Sequence, residues 1–331
     1  MTASVGDPRR ITLALAGDTM LGRLVGDRLR SRAGVELFAP EVVEILRGAD
    51  LVVLNLECCI SDRGDPWPDP RKPFFFRAPP AAADALAALG VDCVTLANNH
   101  SLDFGATALL DTVEHLRRVA VEPVGAGPDV AAARRPAVLE ANGLRLAVLG
   151  LTDHPAAYAG ARDAPGVAYA ELDGRIPPWV GDAIGAVEAD AVLVTPHWGP
   201  NMSPAPLPRI RTAAAALRAA GATLVAGHSA HVFHGVEDAI LYDLGDFVDD
   251  YRVDPVLRND LGLVFLVTLT ASCAERVEAI PIVLEHCYTR LADGRDARWI
   301  AGRFRGACRE LGTDVVEERG RLVVVPRGGT V

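Results

Sequence analysis

The sequence predicts an α/β protein built around a largely parallel central sheet. Short apolar runs rich in Val, Leu or Ile alternate with Ala- and Leu-rich stretches of helical character as far as residue 231. Apolar runs of this length, bounded by turn residues, are typical of strands that are buried on both faces. Strand–helix alternation is typical of α/β folds, whose ligands bind beyond the carboxyl ends of the strands.

Six apolar runs carry this prediction, and each one ends in Asp, Glu, Asn or His. The runs span residues 11–20, 49–57, 92–100, 144–154, 189–199 and 222–231. The helices predicted between them cover residues 36–47, 80–89, 105–118, 180–188 and 207–220. Because the polar residues recur at the same end of every run, we expect them to gather at one edge of the sheet.

The apolar runs of the C-terminal third are spaced differently. Residues 239–283 contain consecutive apolar runs with short connections, which indicates antiparallel hairpins that form a second sheet. A helix is predicted over 293–311, followed by a short strand near 322–325. We expect one domain over residues 1–331, with its core at 11–285 and a C-terminal helix and strand within 286–331. The Pro- and aromatic-rich loop 58–79 is long for a connection, and such loops are often functional.

Composition excludes several classes of protein. The chain has 33 Lys and Arg against 43 Asp and Glu, a net charge of −10, which argues against nucleic-acid binding. A local cationic pocket for a small anionic substrate remains compatible with this charge. The apolar run 11–16 is too short for a signal segment and no stretch approaches the ~20 apolar residues of a membrane helix, so we expect a cytoplasmic protein without membrane contact. The six cysteines lack CxxC spacing, which argues against a zinc–thiolate cluster.

The polar strand ends supply a set of candidate metal ligands. Divalent transition metals bind imidazole, carboxylate and amide groups that converge from different strands. Taken singly, each residue has a plainer explanation: Asp18 could cap a helix that begins near Leu21, and a lone histidine is usually part of the core. Together they are difficult to explain by packing, and they indicate one or two ions of Mn, Fe or Zn. The six candidates are Asp18, Glu57, Asn99, His197, His228 and His231.

Seven motifs, in this order, resemble the CapA family. They are GDTMLGR (17–23), NLE (55–57), FRAPP (76–80), LANNHSLDFG (96–105), HWG (197–199), GHSAHVFHGVE (227–237) and YDLGDF (242–247). The family is named for poly-γ-glutamate capsule synthesis and is similar in fold to calcineurin-like metallophosphoesterases. The resemblance covers roughly residues 11–285. It implies a four-layer α/β/β/α sandwich with two central mixed sheets and a dinuclear type of metal site.

The resemblance also implies individual roles. Asp18 matches the aspartate of the first strand, Glu57 stands in place of a bridging aspartate, and Asn99 and the three histidines match further ligands. His100 matches an acid or oxyanion stabiliser. Two departures stand out: Met20 occupies the third position of an Asp-x-His motif, and Glu57 replaces Asp. Both are expected to weaken one of the two metal positions.

Several other residues are candidates for supporting roles. Asp103 is placed to orient His100, or alternatively to form a local turn bond. His154 ends a strand and is alternatively structural, and Asp246 follows a strand where it could support a ligand. Arginine and lysine match anionic substrates, although those of the 58–79 loop are alternatively solvated loop charges. The cationic candidates are Arg23, Arg71, Lys72 and Arg77.

These residues predict a metal-dependent hydrolase that acts on a phosphoester or on an amide of an acidic, glutamate-like substrate. Two alternatives remain open. The first is a soluble amide-forming or acyl- or phosphoryl-transfer enzyme of poly-γ-glutamate or secondary-metabolite biosynthesis. The second is a non-catalytic, metal-stabilised scaffold protein.

Overall fold

A computed structural model describes residues 9–31 and 36–326. The predicted helices are present within about four residues of their expected ends, the largest shift being the start of the second helix at Pro40. The helices are α1 Arg23–Ser31, α2 Pro40–Arg47, α3 Ala81–Leu89, α4 Gly105–Arg118, α5 Val130–Ala133, α6 Pro178–Ala186, α7 Pro208–Ala219 and α8 Gly294–Glu310, with a 3-10 turn at Ala156–Tyr158.

The strands form two large sheets and two small two-stranded ones. The strands are β1 Ile11–Thr19, β2 Leu51–Leu56, β3 Cys59–Ile60, β4 Arg77–Ala78, β5 Cys93–Thr95, β6 Glu122–Val124, β7 Ala126–Gly127, β8 Ala137–Ala141, β9 Leu144–Thr152, β10 Gly166–Val167, β11 Ala191–His197, β12 Leu224–Ala226, β13 Val236–Glu237, β14 Ile240–Leu241, β15 Asp246–Val248, β16 Leu261–Leu269, β17 Ala274–Glu285, β18 Tyr288–Leu291, β19 Thr313–Glu318 and β20 Arg321–Pro326.

Both large sheets mix parallel and antiparallel pairs. The first has the order β19-β20-β17-β16-β1-β2-β5-β6, with β15 beside β1 and β18 beside β17. Its members β1, β2, β5 and β6 are parallel, whereas β16, β17 and β20 are antiparallel to their neighbours. The second sheet has the order β13-β14-β12-β11-β9-β8, parallel except at its two outer strands. The predicted mixed sheets are therefore confirmed.

Alternation of side chains along the strands builds the four layers. On β1, Ala14 packs with helices α1–α4, whereas Leu13 packs against the second sheet. On β11, Leu193 faces the first sheet and Val194 packs with helices α6 and α7. Successive residues of a strand point to opposite faces, so two sheets with helices outside them bury both faces of their central strands. The α/β/β/α sandwich implied by the resemblance is the observed architecture.

The late hairpin lies elsewhere than predicted. Strands β16 and β17 extend the first sheet, with β16 antiparallel to β1, and do not form a sheet of their own. Likewise, the six early runs do not share one sheet: β1, β2 and β5 belong to the first, and β9, β11 and β12 to the second. The reason lies in burial, because Phe265 of β16 joins the inter-sheet core while Leu266 joins the helix-side core. A strand that is apolar on both faces needs an interior place in a sheet.

The C-terminal region adds two strands to the first sheet and a helix that packs against it. The predicted helix is α8, which buries Ile300 and Phe304 in the inter-sheet core. The predicted last strand is β20, and it pairs with an unpredicted neighbour, β19. Within residues 9–31 and 36–326, no helix combines the length and apolar character that a membrane crossing requires.

Candidate metal centre

The candidate site lies where the inter-sheet core layer ends. Along β2, Leu51 and Val53 face the second sheet, and the same face continues with Asn55 and then Glu57. Glu57 is held in place because its N–H donates to the carbonyl of Thr19 at 3.0 Å. A face that buries apolar side chains along the strand thus becomes polar at the strand's carboxyl end.

The second sheet reaches the same place by the same alternation. Along β11, Ala191 and Leu193 face the first sheet, and Thr195 and His197 follow on that face. His197 and Glu57 are both completely buried. The two sheets therefore present chemically active side chains to each other across one layer.

A bulge positions Asp18. Register between β1 and β2 shifts between Ala16 and Asp18, so Gly17 is an extra residue that changes the face on which Asp18 lies. Gly17 also approaches the neighbouring β15 segment closely, and a Cβ at this position would lie 1.8 Å from the carbonyl oxygen of Gly245. The N–H of Asp18 donates to that same carbonyl at 2.8 Å. Glycine at 17 is thus required for the backbone contact that places Asp18.

The histidine turn after β12 is held in an unusual backbone conformation. Ser229 and His231 have φ angles of 110° and 59°. Residues other than glycine rarely adopt such φ angles. This backbone conformation costs of order 1–3 kcal/mol and persists only where surrounding contacts enforce it. Here the N–H of Ala230 donates to Asp243 Oδ2 at 2.8 Å, and that of Ser229 contacts Asp18 Oδ2 at 3.3 Å. These hydrogen bonds hold the turn in a conformation that places His231 beside Asp18.

The side chains converge on a small volume. Nδ1 of His231 lies 2.8 Å from Asp246 Oδ1, 3.2 Å from Asp18 Oδ2 and 3.9 Å from Glu57 Oε2. These four residues each offer a ligand atom, and all four atoms lie within 4.8 Å of one another. His228 Nδ1 is 3.5 Å from Asp18 Oδ1, and His197 Nε2 is 4.0 Å from Glu57 Oε1. Five of the six predicted ligands are thus joined by direct contacts.

Unpaired buried atoms test whether this set fits a metal ion. A buried polar atom without a hydrogen-bond partner costs about 1–3 kcal/mol, so such atoms are rare unless a ligand satisfies them. The predicted ligand Asn99 belongs to this group, and all of the atoms are of the types that bind divalent ions. The donors present therefore fit a divalent cation. At the site, the atoms without a hydrogen-bond partner are Glu57 Oε1, Asn99 Oδ1, His197 Nε2, His228 Nδ1 and Asp246 Oδ2. Elsewhere in the described residues such atoms belong to Arg134, His234, Asp249, Asp250 and Arg303.

Burial and mutual charge shift the pKa values across the cluster. Despite burial, the charges of Asp246 and Glu57 raise the pKa of His231 well above its usual range. Burial, reinforced by the charge of Asp18, raises the pKa of Glu57 well above its usual range, and burial does the same to the pKa of Asp246. Burial also lowers the pKa of His228 to about 4. Burial would raise the pKa of Asp18 too, but the hydrogen bond and charge of His231 outweigh it and lower that pKa. A divalent ion would favour ionised carboxylates and neutral imidazoles, the forms that bind metals.

The structure extends the predicted ligand set at one residue and agrees with the expectation that Met20 is not a ligand. Asp246, expected only to support a ligand, lies within the four-residue group itself. Met20 lies away from this group: its side chain is fully buried in the helix-side core, and its sulfur accepts from the N–H of Gly22 at 3.1 Å. The missing imidazole at position 20 is therefore accompanied by an additional carboxylate, because β15 pairs in parallel with β1 and sets Asp246 opposite Asp18.

His100 and Asp103 form a buried pair beside the cluster. His100 Nδ1 lies 2.7 Å from Asp103 Oδ2, and its Nε2 is 3.9 Å from Glu57 Oε1. The ring of Phe76 stacks on His100 with the ring centres 3.9 Å apart. Burial lowers the pKa of His100 despite the opposing charge of Asp103. The contact expected between the two side chains is present, and it orients the imidazole so that Nε2 faces Glu57.

The four predicted substrate-binding cations all have protein partners. Lys72 pairs with Asp103 at 2.8 Å and donates to the carbonyl of Asn99, so it supports the site from within. Arg71 is largely exposed and pairs with Asp69, as the solvated-loop alternative described. Arg23 and Arg77 also have other partners, because Arg23 pairs with Asp250 at 3.2 Å and Arg77 lies 4.1 Å above the ring centre of Phe104. Their role in substrate binding stays a prediction.

An open cleft of about 640 Å³ borders the site through Asn99 and His154. His154 Nδ1 contacts Asp153 Oδ1, and its ring centre is 5.3 Å from that of His197. Arg209, which the sequence did not single out, also lines the cleft and pairs with Asp153 at 3.0 Å. The cleft places His154 and Asn99 on one open surface beside the cluster, and the role of His154 stays a prediction.

Several supporting residues escaped prediction. Asn55 Nδ2 donates to Asp18 Oδ1 at 2.6 Å, and Thr195 Oγ1 lies 2.9 Å from His228 Nε2. Asp243 anchors the histidine turn, and the hydroxyl of Tyr251 is 3.4 Å from Glu57 Oε2. Alternation could have identified Asn55 and Thr195, because each stands two residues before a predicted ligand on the same strand face. Asp243 stands in the YDLGDF motif that resembles the CapA family, whereas Tyr251 carries no comparable signal.

Solved structures show similarity at low sequence identity. A putative 5′-nucleotidase from Staphylococcus aureus aligns with 89% of this chain and 58% of its own, at 12% identity and a TM-score of 0.46. A hypothetical protein from Thermus thermophilus aligns with 84% of this chain and 95% of its own, at 19% identity and a TM-score of 0.41.

Sequence similarity identifies the family to which the chain belongs. A probable polyglutamine synthesis accessory protein of Mycobacterium tuberculosis is 30% identical, over 97% of both chains. The PGA biosynthesis protein CapA of Bacillus subtilis is 29% identical over 72% of this chain and 63% of its own. Residues 12–251 match the profile of a family described as bacterial capsule synthesis protein PGA_cap. With the CapA-like motifs gathered at one site, the chain belongs to the PGA_cap family of bacterial capsule synthesis proteins.

Proposed function

We propose that this protein is a metal-dependent hydrolase that cleaves a phosphoester or an amide of an acidic, glutamate-like substrate. The carrying observation is the set of buried, unpaired ligand atoms contributed by Glu57, Asn99, His197, His228 and Asp246. Such a set is costly unless an ion satisfies it. A divalent ion held there supplies Lewis acidity and makes water easier to deprotonate.

The chain's own residues then account for binding and proton transfer. Asp103 holds the Nδ1 side of His100, which leaves Nε2 to exchange a proton with the substrate's leaving group. Lys72 and Tyr158 contact the other oxygen of Asp103, at 2.8 and 3.2 Å, and so fix the carboxylate that fixes the imidazole. The substrate would enter through the cleft beside Asn99 and His154. Arg209 lines this cleft together with the acidic residues Asp153, Glu171 and Asp173, and it is paired with Asp153.

The names of the relatives favour a second candidate. Proteins described as polyglutamine synthesis accessory and PGA biosynthesis proteins belong to pathways that make amide bonds. The same site could transfer an acyl group to an amine acceptor in place of water. This transfer activity uses the same residues and differs only in the acceptor.

The test is an assay of metal-loaded protein with two probes, p-nitrophenyl phosphate and poly-γ-glutamate, each with and without an amine acceptor. We expect turnover of one probe and its loss, by at least about 100-fold, in His228→Ala. His286→Ala is the matched control, because His286 is exposed. Product formed only when the amine is present would replace hydrolysis by transfer. Metal-loaded protein that turns over neither probe in either condition would reject both activities and favour a scaffold role.

A further inference from the structure

The open cleft beside the metal centre has an excess of negative charge. Its lining includes the carboxylates of Asp153, Glu171 and Asp173, and Arg209, which also lines it, is paired with Asp153 at 3.0 Å. Glu171 is exposed and forms no ion pair with any residue of 9–31 and 36–326, whereas the exposed Asp173 lies 4.0 Å from Arg175. A cleft lined by one sign of charge concentrates ligands of the opposite sign. This lining therefore favours a cationic group over an acidic one.

His154 lines the same cleft, and one of its ring nitrogens is held while the other is free. Nδ1 contacts Asp153 Oδ1, and the other oxygen of Asp153 accepts from the N–H of Gly199 at 3.2 Å and from Arg209 at 3.0 Å. The His154 side chain is 32% exposed, and its Nε2 has no hydrogen-bond partner in the described part of the chain. The nitrogen that faces a carboxylate carries the proton of a neutral imidazole, so Nε2 is an acceptor.

This acceptor stands beside the metal centre. The ring centre of His154 is 5.3 Å from that of His197, whose Nε2 is buried, unpaired and 4.0 Å from Glu57 Oε1. The N–H of Asp153 donates to the carbonyl of His197 at 3.1 Å, which ties the two histidine segments together. A group bound to His154 Nε2 therefore lies one imidazole ring away from the cluster.

We propose that this cleft is the subsite for an amine group of the substrate, and that His154 Nε2 accepts a hydrogen bond from that amine. A protonated amine offers three N–H donors and a positive charge, which Glu171 and Asp173 stabilise. The inference rests on the substrate cleft of the proposed function and adds that the acidic groups of a glutamate-like substrate lie outside this cleft. The amine belongs either to the amino terminus of an acidic chain or to a separate acceptor molecule.

The test compares three probes by calorimetric titration of the unaltered, metal-loaded protein. They are tri-γ-glutamate with a free amino terminus, the same peptide acetylated at that terminus, and 1,4-diaminobutane. We expect the free amine to bind at least about 10-fold more tightly than the acetylated one, because a hydrogen bond to a charged group is lost on acetylation. Equal peptide affinities with binding of diaminobutane would instead identify a separate acceptor. Equal peptide affinities without binding of diaminobutane would overturn the proposal.

Variants then assign the contact to His154. His154→Phe keeps a ring and removes the acceptor, so it should abolish the tighter binding of the amine-bearing probe and leave binding of the acetylated peptide unchanged. A general loss of structure would weaken both. His154→Gln should retain most of the preference, because its amide oxygen is an acceptor. A preference for the amine that survives in His154→Phe would overturn the role of this residue.

The charge of the lining is tested separately. Glu171→Gln should lower the affinity for the amine-bearing probe by about 2- to 5-fold at low salt, the size of an exposed charge interaction. Glu188→Gln is the matched control, because Glu188 is an exposed carboxylate outside the cleft lining, and it should leave the affinity unchanged. Equal affinities in the two variants would contradict a contribution of Glu171.

The outcomes also separate this proposal from the hydrolase proposal. Binding of an amine that depends on His154, without turnover of either probe of the hydrolase assay, would reject the hydrolase and keep the amine subsite. Turnover in the unaltered chain, together with equal peptide affinities and no binding of diaminobutane, would reject the amine subsite and keep the hydrolase.

Discussion

The two central sheets contribute different chemistry to the same site. The first sheet brings oxygen donors: Asp18 from β1, Glu57 from the end of β2 and Asp246 from β15. The second sheet brings imidazoles: His197 from β11 and the two histidines of the turn after β12. Neither sheet contains the whole ligand set. The site therefore exists only because the sheets pack face to face, and an ion bound there would join them.

The sheets also use different local devices to aim their ligands. In the first, a bulge at Gly17 and its contact with Gly245 position Asp18. In the second, the strained turn at Ser229 and His231 is held by Asp243. The position of Asp18 therefore depends on the absence of a side chain at Gly17, and the histidine turn depends on the buried carboxylate of Asp243. The following changes disturb the two sheets separately or test their connection.

Gly17→Ala should have the largest effect, because its Cβ would lie 1.8 Å from a backbone oxygen that cannot move without separating β1 from β15. We expect the free energy of unfolding to fall by about 3 kcal/mol or more, measured by urea denaturation. Gly302→Ala is the control, since Gly302 lies within α8 with open space around its Cβ position. That change should stabilise by up to about 1 kcal/mol. Equal stability of the two variants would contradict the close contact of β1 with β15.

Metal removal should have the next largest effect, because the ion would hold ligands from both sheets. Adding Mn²⁺ at 100 times its dissociation constant to chelator-stripped protein should raise the free energy of unfolding by about 2.7 kcal/mol. Asp18→Asn should abolish this gain, whereas Asp62→Asn, a change at an exposed carboxylate, should retain it. Unfolding of the unaltered chain that is the same with and without the ion would be incompatible with a site between the sheets.

Thr195→Val should weaken only the second sheet's contribution. It removes the hydroxyl that lies 2.9 Å from His228 Nε2 while keeping the side chain's shape. Loss of such an outer partner typically lowers metal affinity 10–100-fold, which calorimetric titration with Zn²⁺ would measure. Thr195→Ser keeps the hydroxyl and should keep most of the affinity. If both variants bind alike, the hydroxyl does not orient His228.

Tyr251→Phe should have the smallest effect, and it addresses the first sheet. The hydroxyl of Tyr251 is 3.4 Å from Glu57 Oε2, a long contact whose loss should cost about 1 kcal/mol or less in Mn²⁺ affinity. Titration beside Thr195→Val would compare the two sheets directly. A larger loss than in Thr195→Val would reverse the expected order of the two supporting contacts.

The amino-acid sequence by itself determined the central strands, most of the longer helices and the kinds of ligand, although it did not indicate the helix Arg23–Ser31 or the strand Thr313–Glu318. Apolar runs, helical stretches and turn residues are local patterns. They therefore predict the helix Gly105–Arg118 and the strand that ends before Glu57. The polar strand ends indicated a site, and five of its six predicted ligands are in direct contact.

The tertiary structure alone decided how these parts combine. Periodicity describes which faces of a strand are buried but not which sheet the strand joins, so β16 and the two-sheet division were misassigned. Asp246 shows the same limit, because it is 228 positions from Asp18 in the chain and becomes its neighbour only through parallel pairing of β15 with β1. Local chemistry is written in short stretches of sequence, whereas the partner of each stretch depends on burying the apolar faces of the whole chain together.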